Sequence, residues 1–292
     1  MGTGINPTHR FFAPAKLNLF LHVIGQRGDG YHLLQSVFRL IDFGDTVHLR
    51  LRDDAVIERL GDFPGVPEEW DLTLRAARLL QPFAPPGSGV SIGIDKRLPM
   101  GGGLGGGSSD AATVLLALNR LWKLNFSRQH LQDLALNLGA DVPVFVFGQS
   151  AFAEGVGEQL RSVTLPPAWY VVLMPPVHIA TAAIFAAPEL TRTTPALTIA
   201  PFSAGDPTPD TAKLHNDLQP VVVARYPQVG DYLAWLGQYA EARMTGSGAC
   251  VFAAFADENA ANRVLQDLPE DMQGFVAQGL DRHPLFEYCD EK

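Results

Sequence analysis

Hydrophobic and polar residues alternate near the start of the chain. From residue 15 to residue 23, alanine, leucine or valine occupies every second position, and Lys16, Asn18 and His22 lie between them. Alternation with a period of two predicts a β-strand and places Lys16 and Asn18 on one face, where both can reach one ligand. Other apolar runs predict strands at 46–52, 90–94 and 169–174, and a glycine turn leading into a strand at 244–255.

Two later segments have helical spacing instead. Apolar residues recur every three or four positions over 110–122, directly after a run of glycines. Ser127 is placed to cap a second helix, which is expected to stop at Gly139. Because helices and strands follow one another in mixed order, the predicted fold class is α+β.

Prolines and glycines interrupt these patterns. Pro166-Pro167 predicts a boundary between an N-terminal domain, residues 1–165, and a C-terminal domain, residues 166–292. The segment 191–211 is rich in proline, threonine and alanine, which predicts an irregular loop. Asp42-Phe43-Gly44 is interpreted as a turn after a strand.

The segment most informative about function is the glycine-rich loop, residues 99–109, which precedes the first predicted helix. Glycines let backbone amides approach a ligand, and a helix N-terminus adds free N–H groups and a positive dipole end. This combination predicts a phosphate site. The P-loop pattern is excluded because no lysine follows before Lys123. The dinucleotide fingerprint fits only formally, because no acidic residue follows at the distance that ribose binding needs.

Composition argues against several classes of protein. The net charge of −9 and the lack of a Lys/Arg cluster argue against a nucleic-acid partner. No apolar run is long enough to span a membrane, and the first residues lack a signal-peptide core. With only Cys250 and Cys289, a disulfide framework is not supported, and a cytoplasmic location is expected.

Three motifs in order resemble those of the GHMP family, the small-molecule kinases named for galactose, homoserine, mevalonate and phosphomevalonate. They are residues 13–19, the glycine-rich loop and residues 244–250. Further matches at 29–32, 139–145 and 184–185 make the resemblance closest to members that act on a cytidine diphosphate-linked methylerythritol. The resemblance spans nearly the whole chain. It implies a ribosomal-protein S5-like N-terminal half and a ferredoxin-like C-terminal half, with the active site in the cleft between them.

The resemblance also implies an activity. It is ATP-dependent phosphorylation of the 2-hydroxyl of 4-diphosphocytidyl-2-C-methyl-D-erythritol, in the non-mevalonate pathway to isoprenoid precursors, with Mg²⁺ as cofactor. The metal ligands and the oligomeric state stay open. ATP binding is assigned to the whole glycine-rich loop: Pro99, Met100, Gly101, Gly102, Gly103, Leu104, Gly105, Gly106, Gly107, Ser108 and Ser109.

Asp141 is the candidate general base and Lys16 its catalytic partner. By residue type alone, such an aspartate is more often a capping or turn residue, and a strand lysine is often a solvated edge charge. The matched motifs favour the catalytic interpretation for both. A lysine close to Asp141 would keep the carboxylate ionised and stabilise charge in the transition state.

Substrate binding is assigned, again by resemblance, to Asn18, Tyr31, His32, Thr181 and Phe185. A cytosine ring can stack on two aromatic side chains, and a histidine can hydrogen-bond its edge.

Two other functions are weighed against this one. The substrate of a homoserine or mevalonate kinase has no base that could stack on Tyr31 and His32. A catalytically inactive sensor would not need both Lys16 and Asp141. Two positions depart from the family pattern. Trp70-Asp71-Leu72 stands where Asp-Asn-Leu is usual, and Asp110 stands where asparagine is common.

Overall fold

The computed structural model describes residues 7–61, 65–197 and 214–289. Its strands are β1 (Thr8–Gln26), β2 (His32–Arg52), β3 (Ile57–Arg59), β4 (Gly89–Asp95), β5 (Ala151–Glu154), β6 (Gln159–Ser162), β7 (Trp169–Leu173), β8 (Arg243–Met244), β9 (Val251–Phe255) and β10 (Gly274–Leu280). Its α-helices are α1 (Leu72–Leu80), α2 (Gly106–Leu121), α3 (Arg128–Ala135), α4 (Val142–Phe147), α5 (Thr181–Phe185), α6 (Gln219–Arg225), α7 (Pro227–Leu236) and α8 (Glu258–Gln266). This mixture confirms the α+β class.

Strand β2 organises the sheet. Strand β1 runs antiparallel along one edge of β2, and β5, β10 and β4 share the other edge in succession. Strand β3 then pairs with β4, while β10 continues the sheet to β7, β9 and β8. Strands from both halves of the chain therefore meet in one sheet, and the domain boundary at 165/166 stays a prediction.

The segment Asp42-Phe43-Gly44 is not a turn, contrary to the sequence interpretation. It lies inside β2, where the register with β1 shifts between Pro14 and Ala15. A Cβ on Gly44 would lie 2.1 Å from the carbonyl oxygen of Ala13. Glycine is needed here because the two strands approach closely at a β-bulge, and a bulge inside a long strand resembles a turn in local sequence.

Helix α2 forms the centre of the N-terminal core. It begins at Gly106 rather than at residue 110, because the end of the glycine-rich loop is already helical. Its apolar residues face all directions, which is typical of a buried helix. It packs against α1, α4 and β1 in a core whose fully buried members include Val114, Leu115 and Leu118.

Helix α3 begins as the sequence predicts and ends earlier. The Ser127 side chain accepts a hydrogen bond from the amide of His130, which confirms the cap. The helix ends at Ala135, however, and Gly139 does not adopt a positive φ. The predicted glycine stop is therefore wrong, because the chain leaves the helix through turns over residues 136–139 that need no left-handed residue.

The other predicted strands, the glycine turn and the described part of the irregular loop are confirmed. Strands occupy 46–52, 90–94 and most of 169–174, and a glycine turn joins β8 to β9. Residues 191–197 have no regular structure, and the rest of the predicted loop lies outside the described residues. Throughout the described ranges, no helix has both the length and the apolar character needed to cross a bilayer.

Candidate active site

A cavity of about 630 Å³ opens between the glycine-rich loop, the β1–β2 hairpin and α5. The lining residues fall into two groups at the two ends of the cavity. One group lies toward β4, which pairs with the C-terminal part of β2, and the other lies toward β5, which pairs with its N-terminal part. The loop end comprises the glycine-rich loop with Trp70, Asp71, Leu72, Ile94 and Lys96. The hairpin end comprises Leu21, Leu34, Val156, Gly157, Thr181 and Phe185. Lys16, Asn18 and Asp141 lie between them.

Glycine is required in the loop by its contacts with the C-terminal half of the chain. Gly101, Gly103 and Gly105 have φ values of 70°, 77° and 75°, which disfavour other residues. A Cβ on Gly103 would lie 2.3 Å from the carbonyl oxygen of Thr245, and the Gly102 carbonyl accepts a 3.1 Å bond from the Cys250 amide. The loop and the turn at 245–248 therefore form one wall, backbone against backbone.

The N-terminus of α2 opens into this cavity. Gly105 is the N-cap residue and supplies no side-chain capping bond, and both Gly106 and Gly107 line the cavity. The first amides of the helix are thus offered to a ligand, together with the positive end of its dipole. Two predicted ATP-binding residues turn away instead. Leu104 packs in the core, and Ser109 Oγ donates a 2.6 Å bond to the Pro14 carbonyl.

Lys16 is buried at the middle of the cavity. Its Nζ donates to Asn18 Oδ1 at 2.6 Å and to the Gly103 carbonyl at 2.8 Å, and lies 3.7 Å from Asp141 Oδ2. Burial lowers the pKa of Lys16, and the negative charge of Asp141 opposes that shift. Packing thus brings together the two predicted catalytic residues, which are far apart in sequence.

Asp141 occupies the N-cap position of α4 but makes no capping hydrogen bond with its side chain. That side chain is 46% exposed and lines the cavity. The residue is therefore not a simple capping aspartate. Its carboxylate is offered to the cavity, within reach of the Lys16 ammonium group.

Asn18 holds Lys16 in place. Besides accepting from Lys16, its side chain donates a 2.8 Å bond to Ser36 Oγ, and its backbone amide donates to Thr245 Oγ1 at 2.9 Å. The predicted alternation fails a little further along β1. A register shift between Asn18 and Leu21 turns Leu21, and not His22, into the cavity. An extra residue in a strand reverses the faces of those that follow it.

The predicted substrate residues at the hairpin end are only partly brought together. Thr181 and Phe185 line the cavity, and Thr181 Oγ1 lies 2.7 Å from Ser247 Oγ. The His32 ring does not line it but adjoins Phe185, with ring centroids 5.1 Å apart. Tyr31 follows the turn at 28–30 and is 63% exposed outside the cavity wall.

Known proteins match this chain along nearly its whole length. Residues 71–149 match the family described as GHMP kinases N terminal domain, and residues 209–274 match GHMP kinases C terminal. A 4-diphosphocytidyl-2-C-methyl-D-erythritol kinase of Thiobacillus denitrificans is 73% identical over 281 residues, which cover 96% of this chain and 99% of the relative. The chain belongs to the 4-diphosphocytidyl-2-C-methyl-D-erythritol kinases of the GHMP family. A relative with the same name from Nitrosospira multiformis is 60% identical, with coverage of 96% and 94%.

Solved structures agree with this family. A crystal structure of 4-(cytidine 5'-diphospho)-2C-methyl-D-erythritol kinase superposes with a TM-score of 0.78 at 32% identity, covering 93% of this chain and 99% of that chain. Mevalonate kinase of Methanococcus jannaschii superposes with a TM-score of 0.67 at 16% identity, covering 96% and 100%. The second likeness shows the shared GHMP kinase fold.

Sequence reasoning missed a charged cluster at the loop end of this kinase. Lys96 Nζ donates to the carboxylates of both Asp45 and Asp110, at 2.9 Å for Asp110. Asp45 also accepts from the amides of Arg97 and Leu98. Asp110 is buried, and its Oδ1 has no hydrogen-bond partner among the described residues. Burial raises the pKa of Asp110 to about 7, and the Lys96 charge opposes this shift.

Asp71, the other departure from the family pattern, has a local structural role. Its Oδ1 accepts from the Thr73 amide at 2.9 Å and from Thr73 Oγ1 at 2.6 Å, which caps α1. Its other oxygen lies 3.4 Å from Arg59. The neighbouring Trp70 is exposed and lines the cavity mouth.

Proposed function

We propose that this kinase transfers the γ-phosphoryl group of ATP to the 2-hydroxyl of 4-diphosphocytidyl-2-C-methyl-D-erythritol, a step toward isoprenoid precursors by the non-mevalonate route. The observation that carries the proposal is the pairing of Lys16 with Asp141, 3.7 Å apart, between a glycine-lined wall and an aromatic end of one cavity. The relatives named above carry this activity in their names.

Asp141 is the general base of the proposed reaction. Its carboxylate takes the proton of the attacking hydroxyl as that oxygen bonds to the γ-phosphorus and the bond to the ADP oxygen breaks. The ammonium group of Lys16 lies 3.7 Å from this carboxylate. Because Asn18 and the Gly103 carbonyl hold Lys16, its charge is fixed before substrate arrives, as electrostatic stabilisation of a transition state requires.

The glycine-rich loop is the proposed phosphate site. The uncapped first turn of α2 supplies N–H donors and a positive dipole, and the missing side chains let phosphate oxygens approach the main chain. Residues that line the cavity, such as Gly106 and Gly107, are the ones that would contact ATP directly. Leu104 and Ser109 would support the loop by packing and by the bond to Pro14.

We infer Mg²⁺ as the cofactor. Within the described ranges, no three His, Cys, Asp or Glu side chains converge in a way that could hold a metal ion. The cavity therefore suits an ion held mainly by nucleotide phosphates and water, a common mode for Mg²⁺. When bound with ATP, the ion neutralises charge on the phosphates.

The hairpin end is the proposed acceptor site. Phe185 at the cavity and the exposed Tyr31, which precedes His32 in the chain, are the aromatic side chains proposed to stack on the cytosine ring. His32 lies against Phe185 and can hydrogen-bond the edge of the base. Thr181 and Ser247, which contact each other, offer hydroxyl groups to the polar part of the substrate.

Consumption of ATP with the diphosphocytidyl substrate, compared with homoserine and mevalonate, tests this function. Turnover only with the diphosphocytidyl compound is expected, since the other two have no base to stack. Comparable turnover with either alternative would contradict the proposal. We also propose a cytoplasmic location, supported by Cys250 and Cys289, which form no disulfide with each other.

A further inference from the structure

We propose that Arg192 is a positioning residue that fixes the tautomer of His32, so that the head-group site accepts a base with a hydrogen-bond acceptor at ring position N3. The inference rests on the proposed function for its substrate, and on the geometry of two side chains for its cause. Sequence reasoning gave Arg192 no role, because it lies in a segment without periodic pattern.

Each of the three guanidinium nitrogens of Arg192 donates at least one hydrogen bond. One terminal nitrogen donates to the Leu190 carbonyl at 3.0 Å, and the other donates to the carbonyls of Phe185 at 3.0 Å and Ala187 at 2.7 Å. The remaining Nε–H donates to His32 Nε2 at 3.1 Å. Arg192 thus joins the end of α5 to the start of β2, and its Nε–H is directed at His32 Nε2.

The bond between these two residues decides where the imidazole proton lies. A guanidinium group has only donors, so His32 Nε2 must act as the acceptor and carries no proton. The single proton of the neutral ring then sits on Nδ1. Burial lowers the pKa of His32, and the positive charge of Arg192 lowers it further, so both favour the neutral ring.

This tautomer determines which hydrogen-bonding groups of a base can pair with His32. The His32 ring lies 5.1 Å from the Phe185 ring, and the planes are tilted by 36°. A base whose edge reaches the His32 ring would meet a histidine that can donate through Nδ1 but cannot accept there. Cytosine presents acceptors at O2 and N3, whereas uracil presents a donor at N3. The arrangement favours cytosine and leaves the uracil N–H facing another donor.

Arg225 provides a matched control. It also binds α5, with one terminal nitrogen 3.2 Å from the Ala183 carbonyl, and it pairs with Glu189 at 2.7 Å. It makes no hydrogen bond with His32. Arg225→Met therefore removes an arginine that supports the same short helix, without altering the hydrogen bond that fixes the imidazole.

The first measurement uses ¹⁵N NMR of the histidine rings in the unliganded protein. We expect wild type and Arg225→Met to show His32 protonated on Nδ1, and Arg192→Met to show a mixture of tautomers and a raised His32 pKa. A wild-type ring protonated on Nε2 would overturn the proposal. This test involves no substrate, so it stands even if the proposed function fails, and the wild-type spectrum decides even if Arg192→Met is poorly folded.

The second measurement compares kcat/KM for the cytidine-linked acceptor and its uridine-linked analogue. We expect Arg192→Met to reduce the preference for cytidine about tenfold, the effect of about one hydrogen bond. Arg192→Lys, which keeps a donor-only cation, should restore part of the preference, and Arg225→Met should retain all of it. Equal preference in Arg192→Met and Arg225→Met would refute the role. Failure of the wild type to use either acceptor would instead refute the proposed function.

Discussion

The glycine-rich loop at one end of the cavity offers a ligand main chain, whereas the hairpin end offers side chains. Gly103 packs against the Thr245 carbonyl with no room for a Cβ, and Gly106 and Gly107 present only backbone. Phe185 and His32 instead present rings, and Arg192 holds one of them in place. The loop end suits a phosphate that every nucleotide carries, and the hairpin end suits discrimination between bases.

The two ends should therefore respond differently to substitution. A side chain added at Gly103 collides with the Thr245 carbonyl, so fold and binding suffer together. A side chain removed at the hairpin end leaves the fold intact, because these rings are partly or largely exposed. Between the ends, a change at the reacting groups should affect turnover alone.

The largest effect is expected at Asp141, which belongs to neither end. Asp141→Asn should lower kcat by about 10²–10⁴ because the proposed general base is lost, while ATP binding stays nearly unchanged. Rapid-quench turnover and calorimetric titration with a non-hydrolysable ATP analogue measure the two quantities. Asp133→Asn, at an exposed helix position bonded only locally to Gln129, is the control. Near-normal turnover in a folded Asp141→Asn protein would remove Asp141 from the mechanism.

Substitutions at two glycines of the same loop should have different effects, one on stability and the other on ATP binding. Gly103→Ala should lower the free energy of unfolding by roughly 2–4 kcal/mol, because φ is 77° and the new Cβ would meet the Thr245 carbonyl. In Gly107→Ala the nearest atom is Leu72 Cδ1 at 3.9 Å. This helical site should lose no stability and weaken ATP binding several-fold. Urea denaturation and calorimetry test the pair, and equal stability of both variants would contradict the backbone packing.

At the hairpin end, smaller and separable losses are expected. Tyr31→Ala and Phe185→Ala should each weaken acceptor binding by about 1–3 kcal/mol through lost stacking, with ATP affinity unchanged. Tyr239→Ala removes an exposed tyrosine that contacts Trp235 away from the cavity, and serves as control. Titration with the cytidine-linked acceptor measures each loss. An equal effect of all three variants would show that neither ring belongs to the head-group site.

A pH dependence of stability is also expected at the loop end. Burial raises the pKa of Asp110 from 3.8 to about 7, so the native state binds this proton more tightly than the unfolded chain does. Its contribution to stability is therefore lost progressively as pH rises from 3.8 to about 7, and is constant above that. Asp110→Asn carries no titrating proton and should gain stability relative to wild type over this interval. Parallel denaturation profiles of the two proteins across this interval would contradict the shift.

The sequence alone determined the features that depend on neighbouring residues. The glycine-rich loop before a helix, the strand that places Lys16 and Asn18 on one face, and the Ser127 cap all follow from local periodicity and backbone preference. The ordered motifs indicated the family, and with it the expected roles of Lys16 and Asp141. The local pattern was misleading at two glycines. Gly44 lies at a β-bulge whose sequence also suits a turn, and Gly139 follows a series of turns whose sequence also suits a longer helix.

Only the tertiary structure decided which distant residues meet. Gly103 needs its small size because Thr245 packs on it, and Lys96 lies between Asp45 and Asp110 because β2, β4 and α2 converge there. Arg192 reaches His32 across a separation of 160 residues. Such contacts depend on how whole helices and strands pack together. A short stretch of sequence does not determine the distance between two such elements.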